Sequence, residues 1–91
     1  MTTPILHIRI VTPKQILYEG YASSVSSINS AGKFDILPEH ANFITLIDNQ
    51  SIIIRDPKKK AVSFNFPLAI IYNVKNNVNI YTYIQAKTRS F

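Results

Sequence analysis

A strand–turn–strand pattern occupies residues 68–84, which read LAIIYNVKNNVNIYTYI. Its second half alternates strictly, with one face formed by Val78, Ile80, Thr82 and Ile84 and the other by Asn79, Tyr81 and Tyr83. Such period-two alternation is typical of a β-strand with one buried face. The intervening Lys75-Asn76-Asn77 predicts a tight hairpin turn, because asparagine tolerates the positive φ angles that two-residue turns require.

Short patterns of the same kind run outward from this hairpin. Near the start of the chain, Leu6, Ile8 and Ile10 alternate with His7 and Arg9. Turn signals follow at residues 12–14, 29–32, 48–50 and 56–60. No convincing amphipathic helix is visible, and short strands spaced every ~8–12 residues are the signature of a β-sandwich or barrel.

One glycine and one proline predict irregularities in the strands. The second strand is predicted from about Gln15 to about Ser27. Gly20 lies inside it and predicts a bulge or bend, because a missing Cβ lets a strand coil. Pro38 removes a ladder donor, so the chain is expected to bend there between two short strands.

Composition restricts the class of protein. The 91 residues suffice for one domain, and at 46% hydrophobic and 16% charged they predict a globular chain. Cysteine is absent, which excludes disulfides and cysteine-ligated zinc. The longest apolar runs, at residues 52–54 and 68–72, fall far short of the ~20 residues of a membrane-spanning helix. Residues 1–4 do not resemble a signal peptide.

The net charge of +5 raises the alternative of an anionic partner such as nucleic acid or lipid headgroups. Only Lys58, Lys59 and Lys60 cluster, however, and they follow Asp56-Pro57, which is ordinary turn chemistry. A solvated hairpin tip is therefore favoured over a binding patch.

The side chains that catalysis or metal binding would need are sparse. The two histidines, His7 and His40, have no carboxylate cluster beside them, and the five acidic residues are scattered among turns. Four serines between residues 23 and 27 lack a neighbouring base, and two glycines are too few for a phosphate-cradling loop. The sequence predicts no catalytic residue, no metal ligand and no cofactor.

The segment Gly32–Ala41 stands apart because it puts a proline, a histidine and large apolar residues in a non-repetitive connection. One interpretation is a loop that folds over an open end of the sandwich and closes the core. The other is a docking surface, because loops disproportionately carry functional residues. The residues alone leave both open.

Ordered motifs resemble those of the ATP synthase epsilon subunit, which is called delta in mitochondria. Residues 32–41, GKFDILPEHA, are similar to the family motif Gly-x-Phe/Leu-Gly-Ile-Leu/Tyr-Pro-Gly-His-Ala. Residues 6–13 resemble the family's opening strand, and residues 17–20 match its aromatic-x-Gly. Residues 43–47 follow as Leu-Leu-Thr-x-Leu does in the family, and residues 76–80 resemble its closing hairpin. The resemblance runs from about residue 5 to residue 84.

Several positions depart from the family pattern. Asp35 and Glu39 replace motif glycines, so the loop is expected to take a different path wherever those glycines adopt positive φ. Leu68-Ala69 stands where the family has Gly-Gly. At the position of Lys33 some relatives carry an acid that faces the membrane ring, and a lysine alters that ion pair.

The resemblance implies an all-β fold, a flattened two-sheet β-sandwich of about eight to ten short strands. It would span residues 1–86, followed by a short tail at residues 87–91. The implied protein is a non-catalytic rotor subunit of a proton-translocating F-type ATP synthase that joins the gamma subunit to the membrane c-ring and transmits torque. The gamma contact would lie at Pro38, Glu39, His40, Ala41 and Phe43, and the c-ring contact at Ala31, Lys33 and Phe34.

The resemblance also implies a location and a state. The protein would be peripheral, at the cytoplasmic face of the bacterial inner membrane as part of the complex, without a nucleic-acid partner, and monomeric when isolated. Residues 85–91 are too few for the C-terminal helical hairpin of longer relatives, so neither hairpin-mediated inhibition nor ATP sensing is expected.

A second hypothesis is an OB-like barrel that binds single-stranded nucleic acid, with Tyr72, Tyr81 and Tyr83 as stacking platforms. This binding mode requires the three tyrosines on one exposed face near the lysines.

Overall fold

A computed structural model describes residues 5–83 of the chain. Within this range the regular secondary structure consists of nine strands. They are β1 (Leu6–Val11), β2 (Ile16–Ala22), β3 (Ser24–Asn29), β4 (Gly32–Ile36), β5 (Phe43–Asp48), β6 (Ser51–Arg55), β7 (Val62–Asn65), β8 (Leu68–Val74) and β9 (Asn77–Tyr81). The predicted tail at residues 87–91, and the prediction that residues 85–91 form no helical hairpin, lie outside the described residues.

The nine strands form a two-sheet sandwich, as predicted. Sheet A has the order β2-β1-β9-β8-β5, and sheet B has the order β4-β3-β6-β7. Strands β1 and β9 pair in parallel and join the two ends of the described chain, whereas the other pairs are antiparallel. No helix among the described residues has the length and apolarity that a membrane crossing requires.

The core lies between the sheets and is built from alternate residues of each strand. Sheet A contributes the predicted inward face of β1, Leu6, Ile8 and Ile10, together with inward residues of β8 and β9. Sheet B contributes a smaller set that includes Val25, Ile36, Ile52 and Ile54. The alternation read from the sequence therefore corresponds to burial, because successive strand residues point to opposite sides of a sheet.

The predicted hairpin between β8 and β9 is confirmed. Val74 pairs with Asn77, and the two residues between them, Lys75 and Asn76, have φ values of 48° and 66°. Positive φ at both central residues defines a type I′ turn, whose twist matches that of the flanking strands. The predicted turn after β3 also forms, with Gly32 at a φ of 122°.

The second strand differs from the prediction in two ways. The run from Gln15 to Ser27 is two strands in different sheets, divided at Ser23. There the N–H and the hydroxyl of Ser23 both donate to the carbonyl oxygen of Arg55, at 2.7 and 3.0 Å, which attaches the chain to sheet B. The two hydrogen bonds from Ser23 to β6 therefore mark the point where the chain passes from sheet A to sheet B.

The predicted bulge at Gly20 is wrong, because Gly20 pairs regularly with Ile8. The irregularity lies at Leu17, the extra residue between the pairs of Tyr18 with Ile10 and Ile16 with Val11. A Cβ at Gly20 would stand 3.4 Å from the Tyr18 hydroxyl oxygen. The Tyr18 ring therefore packs over Gly20 at a distance that a Cβ would also allow, and Gly20 does not bend the strand.

Aromatic pairs close both open edges of the sandwich. At the edge formed by β2 and β7, the Tyr18 and Phe64 ring centroids are 5.3 Å apart, and Phe64 stacks on Phe66. At the edge formed by β4 and β5, Phe34 and Phe43 meet edge to face at 5.8 Å. These contacts cover the ends of the core where no further strand is present.

Candidate docking surfaces

The connection between β4 and β5, residues 37–42, is called the His40 loop here. It bends after Pro38 as predicted, and the His40 N–H donates to the Leu37 carbonyl at 3.1 Å. The Glu39, His40 and Ala41 side chains are exposed, and Pro38 is half-buried. The loop therefore presents most of the predicted gamma contact to solvent.

The structure brings the two predicted contacts together at one edge. The His40 and Phe43 ring centroids lie 5.0 Å apart, and Phe43 in turn meets Phe34. Phe43 belongs to the predicted gamma contact and Phe34 to the predicted c-ring contact. Ala31 lies in the exposed turn between β3 and β4, and Lys33 is exposed on β4. A chain of aromatic contacts thus joins the two sets of residues through the β4–β5 edge.

The two residues that replace motif glycines, Asp35 and Glu39, differ in backbone conformation. Asp35 lies in β4, paired with Ser26 in ordinary strand backbone. Glu39 has a φ of 73°, in the left-handed region that glycine occupies without strain. At position 39 the glutamate itself adopts the positive φ that the expectation reserved for a glycine, so this residue takes a strained conformation.

The outer face of sheet A carries a surface that sequence reasoning did not identify. One row crosses all five strands and contains only apolar side chains, in the order Leu46, Ile70, Tyr81, Val11 and Ile16. Ile70 is 39% exposed although it lies on an inner strand of the sheet. The next row begins with the pair Ile44 and Tyr72, and both side chains are exposed. These residues, with Leu68 and Tyr83, are called the apolar face.

A groove of ≈ 600 Å³ lies at one end of the apolar face. Its lining includes Val11, Pro13, Leu68, Ile70, Tyr81 and Tyr83. Contiguous exposed apolar surface of this kind marks interaction sites in soluble proteins, whereas single exposed apolar residues do not.

A signal for this face was present in the sequence. Strand β8 is apolar at both parities, with Ala69 and Ile71 inward and Leu68, Ile70 and Tyr72 outward. A strand with only one buried face should be polar at alternate positions. The apolar residues 68–72 therefore form both a buried side and an exposed apolar side of β8.

The outer face of sheet B is polar by comparison. Arg55 Nη1 donates to Ser26 Oγ at 2.6 Å, and that hydroxyl donates to the Asp35 carboxylate. The predicted lysine cluster lies in the exposed turn between β6 and β7, where the Lys58 N–H donates to Asp56 Oδ1 at 2.8 Å. The lysines thus lie at an exposed hairpin tip, as predicted, and whether they bind a partner stays a separate question of function.

The tyrosines of the nucleic-acid hypothesis do share an exposed side of the molecule. Tyr72 and Tyr81 lie on the apolar face, and Tyr83 lines its groove. Tyr81 lies between the aliphatic Ile70 and Val11, and Tyr72 lies between Ile44 and Asn79, whereas the lysine turn belongs to sheet B. Among residues 5–83, the three tyrosines therefore do not lie beside the Lys58–Lys60 cluster, as the hypothesis required.

The titratable side chains form small surface contacts. His7 Nε2 and Glu19 Oε2 are 2.9 Å apart, and Arg9 Nε lies 3.8 Å from the same oxygen. His7 thus lies on the outer side of β1, as predicted. Among residues 5–83, no group of three or more histidine and acidic side chains is arranged to hold a metal ion.

The sandwich matches a known protein family over nearly the whole chain. Residues 5–84 match the family described as the beta-sandwich domain of the ATP synthase Delta/Epsilon chain. This match defines the class of the protein as a β-sandwich of ATP synthase chains. The chain belongs to this family.

Curated relatives carry the corresponding name. The ATP synthase epsilon chain of Campylobacter concisus is 40% identical over 72% of this chain and 53% of its own length. The epsilon chain of Sulfurovum sp. is 32% identical over 67% of this chain and 49% of its own. The chain therefore spans about half the length of the curated relatives it matches.

Solved structures share the fold. A chain of the Euglena gracilis mitochondrial ATP synthase aligns with a TM-score of 0.78 at 10% identity, over 88% of this chain and 51% of that one. A chain of the Tetrahymena thermophila central stalk and c-ring aligns with a TM-score of 0.69 at 13% identity, over 87% and 63%. At such identities the likeness shows the fold alone.

Proposed function

We propose that the chain is a non-catalytic subunit of the central stalk of a proton-translocating F-type ATP synthase, where it joins the gamma subunit to the membrane c-ring. Within the complex it is a peripheral component at the cytoplasmic face of a bacterial inner membrane. Family membership and the central-stalk origin of a fold neighbour support this assignment.

The observation that carries the proposal is the apolar face. An apolar row that crosses a whole sheet with four of its five side chains exposed is unfavourable in a free protein, and a partner that covers it would explain it. Its residue Ile44 lies on β5, the edge strand that follows the His40 loop, so the apolar face begins at the edge of the sandwich that carries the predicted gamma contact, although the Ile44 and Phe43 side chains point to opposite sides of the strand. We assign both to gamma.

The c-ring contact remains at Ala31, Lys33 and Phe34, on the opposite side of the β4–β5 edge. The direct path between the two contacts is the edge-to-face pair of Phe43 and Phe34. Torque transfer requires the two contacts to move as one body, and a packed sandwich with both edges closed by aromatic pairs meets that requirement.

The test is binding of the full chain to the gamma subunit encoded in the same genome. Ile70→Asp places a charge in the centre of the apolar face, and the matched control is Ile53→Asp on the outer side of sheet B. Ile70→Asp is expected to weaken the complex by about 30-fold or more, as a central apolar contact would. Equal affinity of the two variants would contradict the assignment of this face, and absence of binding by the unaltered chain would contradict the function.

A further inference from the structure

The His40 loop is held by side chains of the β8–β9 hairpin. The Glu39 N–H donates to Asn76 Oδ1 at 2.7 Å, and Asn76 Nδ2 lies 3.5 Å from Glu39 Oε2. On the hairpin side, the Lys75 N–H donates to Asn42 Oδ1 at 2.9 Å. Both ends of the exposed part of the loop are therefore attached to one turn.

Asn76 and Glu39 share an unusual backbone state. Both have a positive φ, 66° and 73° respectively, although both carry a Cβ. Asparagine tolerates this left-handed conformation in a hairpin turn, whereas glutamate is disfavoured in it, so residue 39 would leave it readily in a peptide without further contacts. The hydrogen bond from the Glu39 N–H is formed only while residue 39 keeps this conformation in register with the turn.

Asn73 supports the middle of the loop from below. It is completely buried on the inward side of β8, and its Nδ2 donates to the Ala41 carbonyl at 3.2 Å and reaches the His40 carbonyl at 3.5 Å. Its Oδ1 has no hydrogen-bond partner among the described protein atoms. A buried amide that leaves one oxygen unpaired is costly in a core, and here its other atom fixes the backbone beneath the exposed His40 ring.

We propose that Asn76 and Asn73 are positioning residues, which hold the His40 loop in the conformation that docks on gamma. A glycine at position 39 would adopt the positive φ without strain. With glutamate there, the hydrogen bond to the Asn76 side chain stabilises the same backbone conformation. This inference rests on the proposed function.

The physical consequence is a population effect. If the loop leaves its docking conformation for part of the time, the apparent affinity for gamma falls in proportion to the competent fraction. Removal of one tethering hydrogen bond is expected to lower affinity about fivefold without changing any residue that contacts the partner.

The experiment compares two glycine substitutions in the same turn of the full chain. Asn76→Gly keeps the positive φ accessible and removes the amide that binds Glu39, whereas Lys75→Gly keeps the backbone donor to Asn42 and serves as control. Two quantities are measured: hydrogen exchange of the Glu39 amide in the free chain and affinity for the gamma subunit. Asn76→Gly is expected to speed exchange about tenfold and weaken gamma binding about fivefold, with Lys75→Gly near the unaltered chain. Asn73→Leu, which keeps the branched heavy-atom shape and removes both polar atoms, is expected to weaken gamma binding in the same direction.

A rescue variant separates positioning from general destabilisation. In a chain that carries Glu39→Gly, residue 39 adopts positive φ without strain, so the added Asn76→Gly is expected to change gamma affinity by less than about twofold. A full loss of affinity in that background would overturn the inference. Equal gamma affinity of the unaltered chain, Asn76→Gly and Asn73→Leu would also overturn it, while leaving the proposed function in place. A failure of the unaltered chain to bind gamma would overturn both.

Discussion

The outer faces of the two sheets differ although both sheets contribute to one core. On sheet A, inner strands β8 and β9 expose Ile70 and Tyr81 side by side. On sheet B, the corresponding inner strands expose a polar network of Ser26 and Arg55 that reaches Asp35 on the edge strand. A free two-sheet sandwich needs only its inward residues to be apolar. The second apolar surface of sheet A is therefore not needed to form the core, and our proposal assigns it to the contact with gamma.

The largest expected effect is a difference in the free energy of unfolding between substitutions on the buried and the exposed side of β8. Ile71→Ala, on the buried side, is expected to lower the free energy of unfolding by ~2–5 kcal/mol, because it removes packed methyl groups and leaves a cavity. Ile70→Ala, on the exposed side, is expected to lower it by less than ~1 kcal/mol. Urea unfolding followed by circular dichroism measures both. Similar losses for the two variants would mean that the apolar face stabilises the free domain.

A smaller effect is expected for the exposure of the apolar face in the free chain. The unaltered chain should enhance the fluorescence of an apolar dye, and Ile44→Lys combined with Tyr72→Lys should reduce the enhancement to roughly a third. The control, Ile53→Lys on sheet B, should leave the enhancement unchanged. An equal reduction of the dye fluorescence by Ile53→Lys would mean that the outer faces of the two sheets do not differ in exposed apolar surface.

The smallest effect concerns the polar network on sheet B. Ser26→Ala removes the hydroxyl between Arg55 and Asp35, whose side chains are exposed. The free energy of unfolding is expected to fall by only about 0.5 kcal/mol at low salt and by less at high salt, because exposed charges are screened. Thermal unfolding at two salt concentrations checks this, and a loss above about 2 kcal/mol would show that the network is structural.

Local patterns predicted much of the fold. The alternation of Leu6, Ile8 and Ile10 identified buried positions, because strand geometry fixes which residues share a side. The Lys75-Asn76 turn was predicted because its backbone angles exclude most residue types. The division of strand 15–27 at Ser23 was missed, because the acceptor that draws the chain to the other sheet is the distant Arg55 carbonyl.

The two candidate docking surfaces were predicted only in part. The exposed His40 loop was identified by its motif and by its departure from strand periodicity. The apolar face was not, because it combines residues of all five strands of sheet A, from Leu46 on β5 to Ile16 on β2. No single segment shows that such residues form one row.

The sequence was sufficient to establish the all-β class, the position of the closing hairpin and the family, because each depends on short motifs and on residue order. The tertiary structure alone decided three other matters: the edge where Phe34 meets Phe43, the continuity of the apolar face, and the contact of Glu39 with Asn76. Each of these depends on strand register between segments distant in sequence. Register is set by the packing of the whole core, and a shift of one residue would turn every outward side chain inward.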